Sequence, residues 1–252
     1  MLNIVIPMAG AGSRFVAAGY QVPKPFIEVH NVPMIKLVID NLTPTCDYRF
    51  IFIIQKKHEE TFNFKSRLEE WSINCKVIEI DGLTEGAACT VLKAKGLINN
   101  EDPLMIANSD QYIDCEIDSY LSMLDVEKLE GLIMTMKAND PKWSFVGTDD
   151  EGFVTNVVEK EVISDEATVG IYNFSSGKKF VYAAEKMISD NDRVNGEFYV
   201  APVYNRLIKE GDSIGIYNIG AESAGMYGLG VPKDLDLFLS LGISKKAVKG
   251  LL

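Results

Sequence analysis

The chain has 252 residues, 47% of them hydrophobic, and 25 Lys and Arg stand against 36 Asp and Glu for a formal charge of −11 at pH 7. The apolar fraction is large enough to fill a core and excludes a disordered chain. The negative charge, with no basic block to override it locally, argues against a nucleic-acid binder.

The opening run MLNIVIPMAG contains the first predicted strand, NIVIPMA. It has no basic leader and breaks at Pro7, far short of the roughly 18 apolar residues that a membrane span requires, so a cytoplasmic protein without a membrane anchor is expected. Glycines at 10 and 12 follow directly. A glycine turn after a strand frees backbone N–H groups to cradle phosphate oxygens, and Arg14 and Lys24 add the positive charge that a polyanion needs on so acidic a chain. A surface loop with merely solvated basic side chains is the alternative. The turn is not a dinucleotide loop, because Phe15 stands where the third glycine belongs, and there is no GKS or GKT for a P-loop.

Further along, RFIFIIQ, KVIEID, PLMIAN and GLIMTMK read as strands. Between them MIKLVIDNL, HEETFNFKSRLEEW, EGAACTVLKAKGLI and IDSYLSMLDVEK carry apolar residues at helical spacing. This β-α-β rhythm predicts a three-layer α/β protein with a mixed, mainly parallel sheet and helices on both faces. After about residue 140 it gives way to WSFVGTDDEGFVTNVVEK, a hairpin around Asp149–Gly152, and to the strand ATVGIYNF, which together form a small β-rich extension. Helices are predicted over KKFVYAAEKMISD, EFYVAPVYNRLIKEG and PKDLDLFLSL, with the strand SIGIYNIG between the last two. No Ser/Pro/Gly-rich seam divides the chain, so residues 1–252 are expected to form one domain of two halves, about 1–140 and about 141–252.

Cysteines at 46, 75, 89 and 115 form no CxxC pair and are expected to be reduced thiols, with Cys89 and Cys115 small apolar fillers. Two histidines, His30 and His58, disfavour a Ser-His-Asp hydrolase or a His-rich zinc centre and are expected to be structural or surface groups.

Gly10, Gly12, Ser13 and Arg14 after the first strand, then Pro23, Lys24 and Pro25, resemble the signature of the sugar-1-phosphate nucleotidylyltransferases, also called NDP-sugar pyrophosphorylases. The resemblance continues in order through EGAACTVLKA at 85–94, MIANSDQY at 105–112, VVEK at 157–160, VGIYNF at 169–174 and GEFYV at 196–200. It implies a Rossmann-like fold whose first half binds nucleotide and whose second half binds sugar phosphate. It also implies transfer of a nucleoside monophosphate from a triphosphate to a sugar 1-phosphate with release of pyrophosphate, in service of NDP-sugar and polysaccharide synthesis. The implied partners are those two substrates, with no nucleic acid and no membrane and with a homo-oligomer left open; the implied cofactor is Mg2+.

By the same resemblance Arg14 and Lys24 are catalytic, and Ala9, Gly10, Gly12, Ser13, Glu85, Gly86 and Asn108 meet the nucleotide. Asp110 is the metal ligand, while Glu159, Lys160, Gly170, Tyr172 and Glu197 meet the sugar phosphate. Two positions depart from the pattern. The stretch MYGLGVP places Gly228 where the family has a second metal-binding aspartate, and DGLTEG offers Asp81, Thr84 and Glu85 in place of a base-reading glutamine. A carboxylate at 81 or 85 favours bases that donate hydrogen bonds, cytosine and guanine, over uracil. A nucleotide-sugar-dependent glycosyltransferase and a non-catalytic nucleotide-binding relative are the alternatives. Against the first, the sequence after Asp110 forms no Asp-x-Asp pair.

Overall fold

The computed structural model describes residues 1–251. Strand β1 (Leu2–Pro7) is apolar without alternation because it is sandwiched: Ile4 and Ile6 enter the core on one face of the sheet and Val5 the core on the other. Its carboxyl end opens into the glycine turn and the short helix α1 (Ser13–Ala17). A 3-10 turn at Lys24–Phe26, the small hairpin of β2 (Glu28–Val29) and β3 (Val32–Pro33), and helix α2 (Met34–Leu42) lead to β4 (Tyr48–Gln55).

The helix predicted over 58–71 is two helices, α3 (Lys56–Phe62) and α4 (Phe64–Trp71), because Asn63 between them takes the left-handed conformation at φ +51°. After β5 (Cys75–Ile80) the helix predicted from Glu85 begins only at Ala87, since Gly86 has φ +134°. It is also broken, running as α5 (Ala87–Val91), a 3-10 turn and α6 (Lys95–Ile98).

The second half follows as β6 (Leu104–Ala107), β7 (Gln111–Ile113), α7 (Ile117–Val126), β8 (Gly131–Lys137), β9 (Ser144–Thr148), β10 (Val154–Glu159) and β11 (Glu166–Phe174). Then come α8 (Gly177–Ser189), α9 (Tyr204–Lys209), β12 (Ile214–Glu222), β13 (Gly225–Gly228), α10 (Pro232–Ser240) and α11 (Gly242–Ala247). The helix predicted over 197–211 is thus confined to 204–209 after a 3-10 turn. Phe198 is not helical because its N–H donates to Glu85 O at 2.8 Å and its carbonyl accepts from Ala88 N at 3.0 Å, which ties the segment to the turn before α5.

Among the described residues eleven strands form one sheet in the order β5-β4-β1-β6-β11-β8-β12-β13-β7, with β9 and β10 attached at β11. Only β7, β10 and β11 run against the common direction, so the sheet is mixed and mainly parallel. Helices α2, α4 and α7 pack on one face and α5, α6, α8 and α9 on the other. The β9–β10 hairpin alone is the extension; β11, expected to belong to it, instead lies inside the main sheet, hydrogen-bonded to β6 on one side and β8 on the other. Among the described residues no helix is long and apolar enough to cross a membrane.

Candidate functional site

Because β1 and β6 are parallel neighbours, their carboxyl ends lie side by side, and the segments that follow them, Gly10–Arg14 and Asn108–Gln111, meet above that edge. Open parallel sheets place ligands at such an edge. Gln55 at the end of β4 pins the turn from below, its Nε2 donating to Ala9 O at 2.5 Å. Gly12 has φ +61°, a left-handed conformation that suits glycine, and its α-carbon faces Lys24, whose Cβ would stand 3.5 Å from a side chain at 12. Lys24 reaches from there across to the other segment. Its Nζ donates to Asp110 Oδ2 at 2.8 Å, with side-chain exposures of 24% and 22%.

A cavity of about 460 Å³ opens on the Asp110 side and brings together Arg14, Asn108, Asp110 and Lys160. An adjoining cavity of about 280 Å³ shares Asn108 with it and is lined by Glu159, Gly170 and Tyr172. Glu159 is buried and held: Ser144 Oγ donates to Oε2, and Lys160 Nζ lies 3.2 Å from Oε1. Lys160 has φ +59° and sets its Nζ 5.3 Å over the Tyr199 ring. The Tyr199 phenol is pushed above its ordinary value by burial, then by the charges of Glu197 and Glu159, and Glu197 itself is exposed. Burial holds Tyr172 far above the ordinary tyrosine range, and its hydroxyl is already paired with Thr168 Oγ1 at 3.0 Å. Gly170 has φ +82°, and a side chain there would run into Asn108 Nδ2.

Two expected nucleotide contacts lie apart from these cavities. Glu85 is ion-paired with Arg193 at 2.6 Å and shares a separate cavity of about 640 Å³ with Asp81 and Thr84. Gly86 does not leave open space for a base; its α-carbon is pressed against the backbone of Phe198. Ser13 begins α1 without a side-chain cap bond. The thiols are unactivated as expected: burial, then Glu116 and Asp114, push Cys115 up to about 11.

The structure adds residues that the sequence reading missed. Lys142, Lys233 and Asp234 also line the Asp110 cavity, and Lys57 and His58 line a third one beside the glycine turn. Asp234 bears on the departure at Gly228. Strand β13 pairs with β7 so that Gly228 lies opposite Gln111, next to Asp110. A Cβ at 228 would stand 3.5 Å from Asp234 Oδ2, so the carboxylate from the first turn of α10 reaches the space above Gly228. Among the described residues no three His, Cys, Asp or Glu converge as a metal cluster. Two carboxylates facing a phosphate-sized cavity fit a hard cation that takes its other oxygens from water and phosphate, and do not fit a structural zinc.

Asp110 sits where it does because residue 230 is glycine: a Cβ there would come within 2.5 Å of Asp110 Oδ2. Gly230→Ala is expected to keep the fold, displace that carboxylate from Lys24 and lower turnover at least about tenfold, since a misplacement of an ångström is enough for such a loss. Steady-state rates beside a melting curve check this; wild-type turnover in a well-folded variant refutes it.

Residues 4–212 match the family model described as nucleotidyl transferase. Over 180 residues the chain is 26% identical to the catalytic subunit beta of mannose-1-phosphate guanylyltransferase from Danio rerio, an overlap of 69% of this chain and 50% of that protein. The chain thus spans about half the length of the curated relatives it matches. The crystal structure of a nucleoside-diphosphate-sugar pyrophosphorylase from Vibrio cholerae RC9 superposes with a TM-score of 0.80 at 25% identity, covering 94% of this chain and 100% of that one. The inositol-1-phosphate CTP transferase from T. maritima shares the fold, with a TM-score of 0.73 at 14% identity over 98% and 96% of the two chains.

Proposed function

The chain belongs to the nucleotidyl transferase family, and on that premise we propose that it transfers a nucleoside monophosphate from a triphosphate to a sugar 1-phosphate or similar phosphorylated acceptor. An acceptor phosphate oxygen attacks the α-phosphorus, the new P–O bond forms as the α–β bridge bond breaks, and pyrophosphate leaves. The observation that carries this reading is the Lys24–Asp110 pair, set between a glycine turn on one side and a cavity holding Arg14 and Lys160 on the other. Relatives named for mannose 1-phosphate and inositol 1-phosphate support an acceptor of that class.

The chemistry needs no activated nucleophile, because phosphoryl transfer is catalysed chiefly by positioning and charge stabilisation. The backbone N–H groups of Gly10–Ser13 hold the terminal phosphates, with Arg14 reaching them from the Asp110 side. Lys24 bridges nucleotide and acceptor phosphates, and Lys160 pairs with the acceptor phosphate. Glu159 and Glu197 accept hydrogen bonds from acceptor hydroxyls beside Gly170 and Tyr172. Ala9 and Asn108 shape the nucleoside side, Glu85 reaches the base only from the separate cavity it shares with Asp81, and Gly86 acts through its clamp on Phe198, with the first 140 or so residues serving the nucleotide and those beyond serving the acceptor. Asp110, with Asp234 as the second carboxylate, would hold Mg2+, which when bound supplies positive charge to the α-phosphate. Soluble substrates and four free cysteines support a cytoplasmic location.

Incubation of the protein with each common triphosphate, Mg2+ and a panel of sugar and polyol phosphates tests this reading. Pyrophosphate release is expected. Glycosyl transfer from a nucleotide sugar, or binding without turnover, sinks it. Within the same panel Asp81, with Glu85 tied to Arg193, favours a base with an exocyclic amino group over uracil and thymine, so CTP or GTP is expected to outperform UTP and dTTP; a clear preference for UTP or dTTP overturns that expectation.

A further inference from the structure

The two cavities that flank the Lys24–Asp110 pair differ in charge. The one on the Asp110 side has Asp110 and Asp234 in its wall. The other, of about 280 Å³, lies between the glycine turn, Lys24, Ser109 and the first turn of α3, and no Asp or Glu lines it. In a chain with 36 acidic residues against 25 basic ones, a basic cavity free of carboxylates is what a polyanion requires. Lys57 and His58 supply its far wall. They follow the carboxyl end of β4 as the glycine turn follows that of β1, so a second functional segment stands on the same sheet edge.

Lys57 is free to bind, and the His58 ring borders the cavity beside it. Lys57 has no ion-pair partner among the described residues, whereas Lys24, Lys142 and Lys160 each have at least one. His58 packs its ring 5.6 Å from that of Phe64 and keeps Nδ1 buried without a hydrogen-bond partner among the described residues. Burial, then the neighbouring Lys57, pushes the imidazole below its ordinary value, so the free protein carries it neutral at pH 7, with one ring N–H to donate. The cavity therefore offers a free ammonium, the Lys24 ammonium, an imidazole and the N–H groups of a glycine turn.

We propose that Lys57 and His58 complete the seat of the leaving pyrophosphate, taking the β- and γ-phosphates of the triphosphate on the side of Lys24 opposite Asp110. This rests on the nucleotidyl-transfer reading and divides the labour of the edge. The carboxylates, the cation and the acceptor occupy one side, and the triphosphate tail occupies the acid-free side. On release, the same groups hold pyrophosphate until it diffuses away, which makes them contributors to product inhibition.

Calorimetric titration of the full chain with inorganic pyrophosphate tests this without requiring turnover. Lys57→Ala is expected to weaken pyrophosphate binding about tenfold, as the loss of one charge-assisted contact does, with Lys57→Arg retaining it. His58→Phe is expected to weaken it about threefold, with His58→Gln retaining most of it because the amide keeps a donor. In steady-state assays Lys57→Ala is expected to raise KM for the triphosphate and the inhibition constant of pyrophosphate together, leaving acceptor KM unchanged. Wild-type pyrophosphate affinity in a well-folded Lys57→Ala protein overturns the proposal, as does loss on Lys142→Ala instead, which would put the anion on the Asp110 side. An active enzyme with unaffected variants leaves the nucleotidyl-transfer reading standing, whereas pyrophosphate binding without turnover on any substrate pair removes that reading and leaves an anion site.

Discussion

Asp110→Asn is expected to lower turnover at least about a hundredfold while leaving the melting temperature close to wild type. The substitution is nearly isosteric, so the packing of the β6 edge is kept. What it removes is a negative charge that faces Lys24 at 2.8 Å in a partly water-excluded cavity. With that charge gone, the proposed cation would lose a carboxylate ligand, and Lys24 loses the partner that holds its ammonium in place. Lys24→Ala is expected to cost a similar factor by leaving the carboxylate unpaired and withdrawing positive charge from the transferring group. The two losses should not add, because both variants disable one ion pair. Pyrophosphate release measured for the single and double variants checks this. Unchanged release in Asp110→Asn, or fully additive losses in the double variant, sinks the assignment of this pair.

The largest expected effect on stability belongs to Gly86→Ala. Gly86 has φ +134°, where an L side chain is strained, and its Cβ would lie 2.6 Å from Phe198 N and closer still to the Phe198 carbonyl oxygen. The neighbour cannot yield, because its N–H and C=O are both committed to Glu85 and Ala88. Strain and overpacking together are expected to cost about 3 kcal/mol or more, and the damage should reach activity as well, since Ala87, Tyr199 and Val200 line the cavity beside Glu159. Chemical denaturation provides the check. A midpoint equal to wild type would show that the 197–200 segment is not clamped as described.

The sheet was legible wherever a strand is buried on both faces, because β1, β4, β6 and β8 are continuous apolar runs that no amphipathic helix produces. Helix boundaries were not legible where a single backbone angle decides them, as at Asn63 and Gly86. The strands β7 and β13 are three and four residues long and owe their existence to each other, so local pattern carries no trace of them. The glycine turn, Lys24, Asp110 and Lys160 were readable from motif order. Asp234, Lys57 and His58 were not, because each enters the site through pairing or winding that brings distant segments to one edge. The residues matched by the family model end at 212, before Asp234.

The pairing of β13 with β7 also sets an order of events for a chain emerging from the ribosome. Leu229 N donates to Asp110 O at 2.8 Å, Gly230 lies against the Asp110 carboxylate, and Asp234 follows on the next turn. The space around Asp110 is therefore closed by residues more than a hundred positions downstream of the carboxylate itself, a contact of high sequence separation that is entropically slow to form. A nascent polypeptide that stops before Gly225 would already possess β1, β6 and the glycine turn, and so could dock a triphosphate tail while remaining unable to turn it over. On the proposed reading, turnover would wait until the last strand pair has zipped.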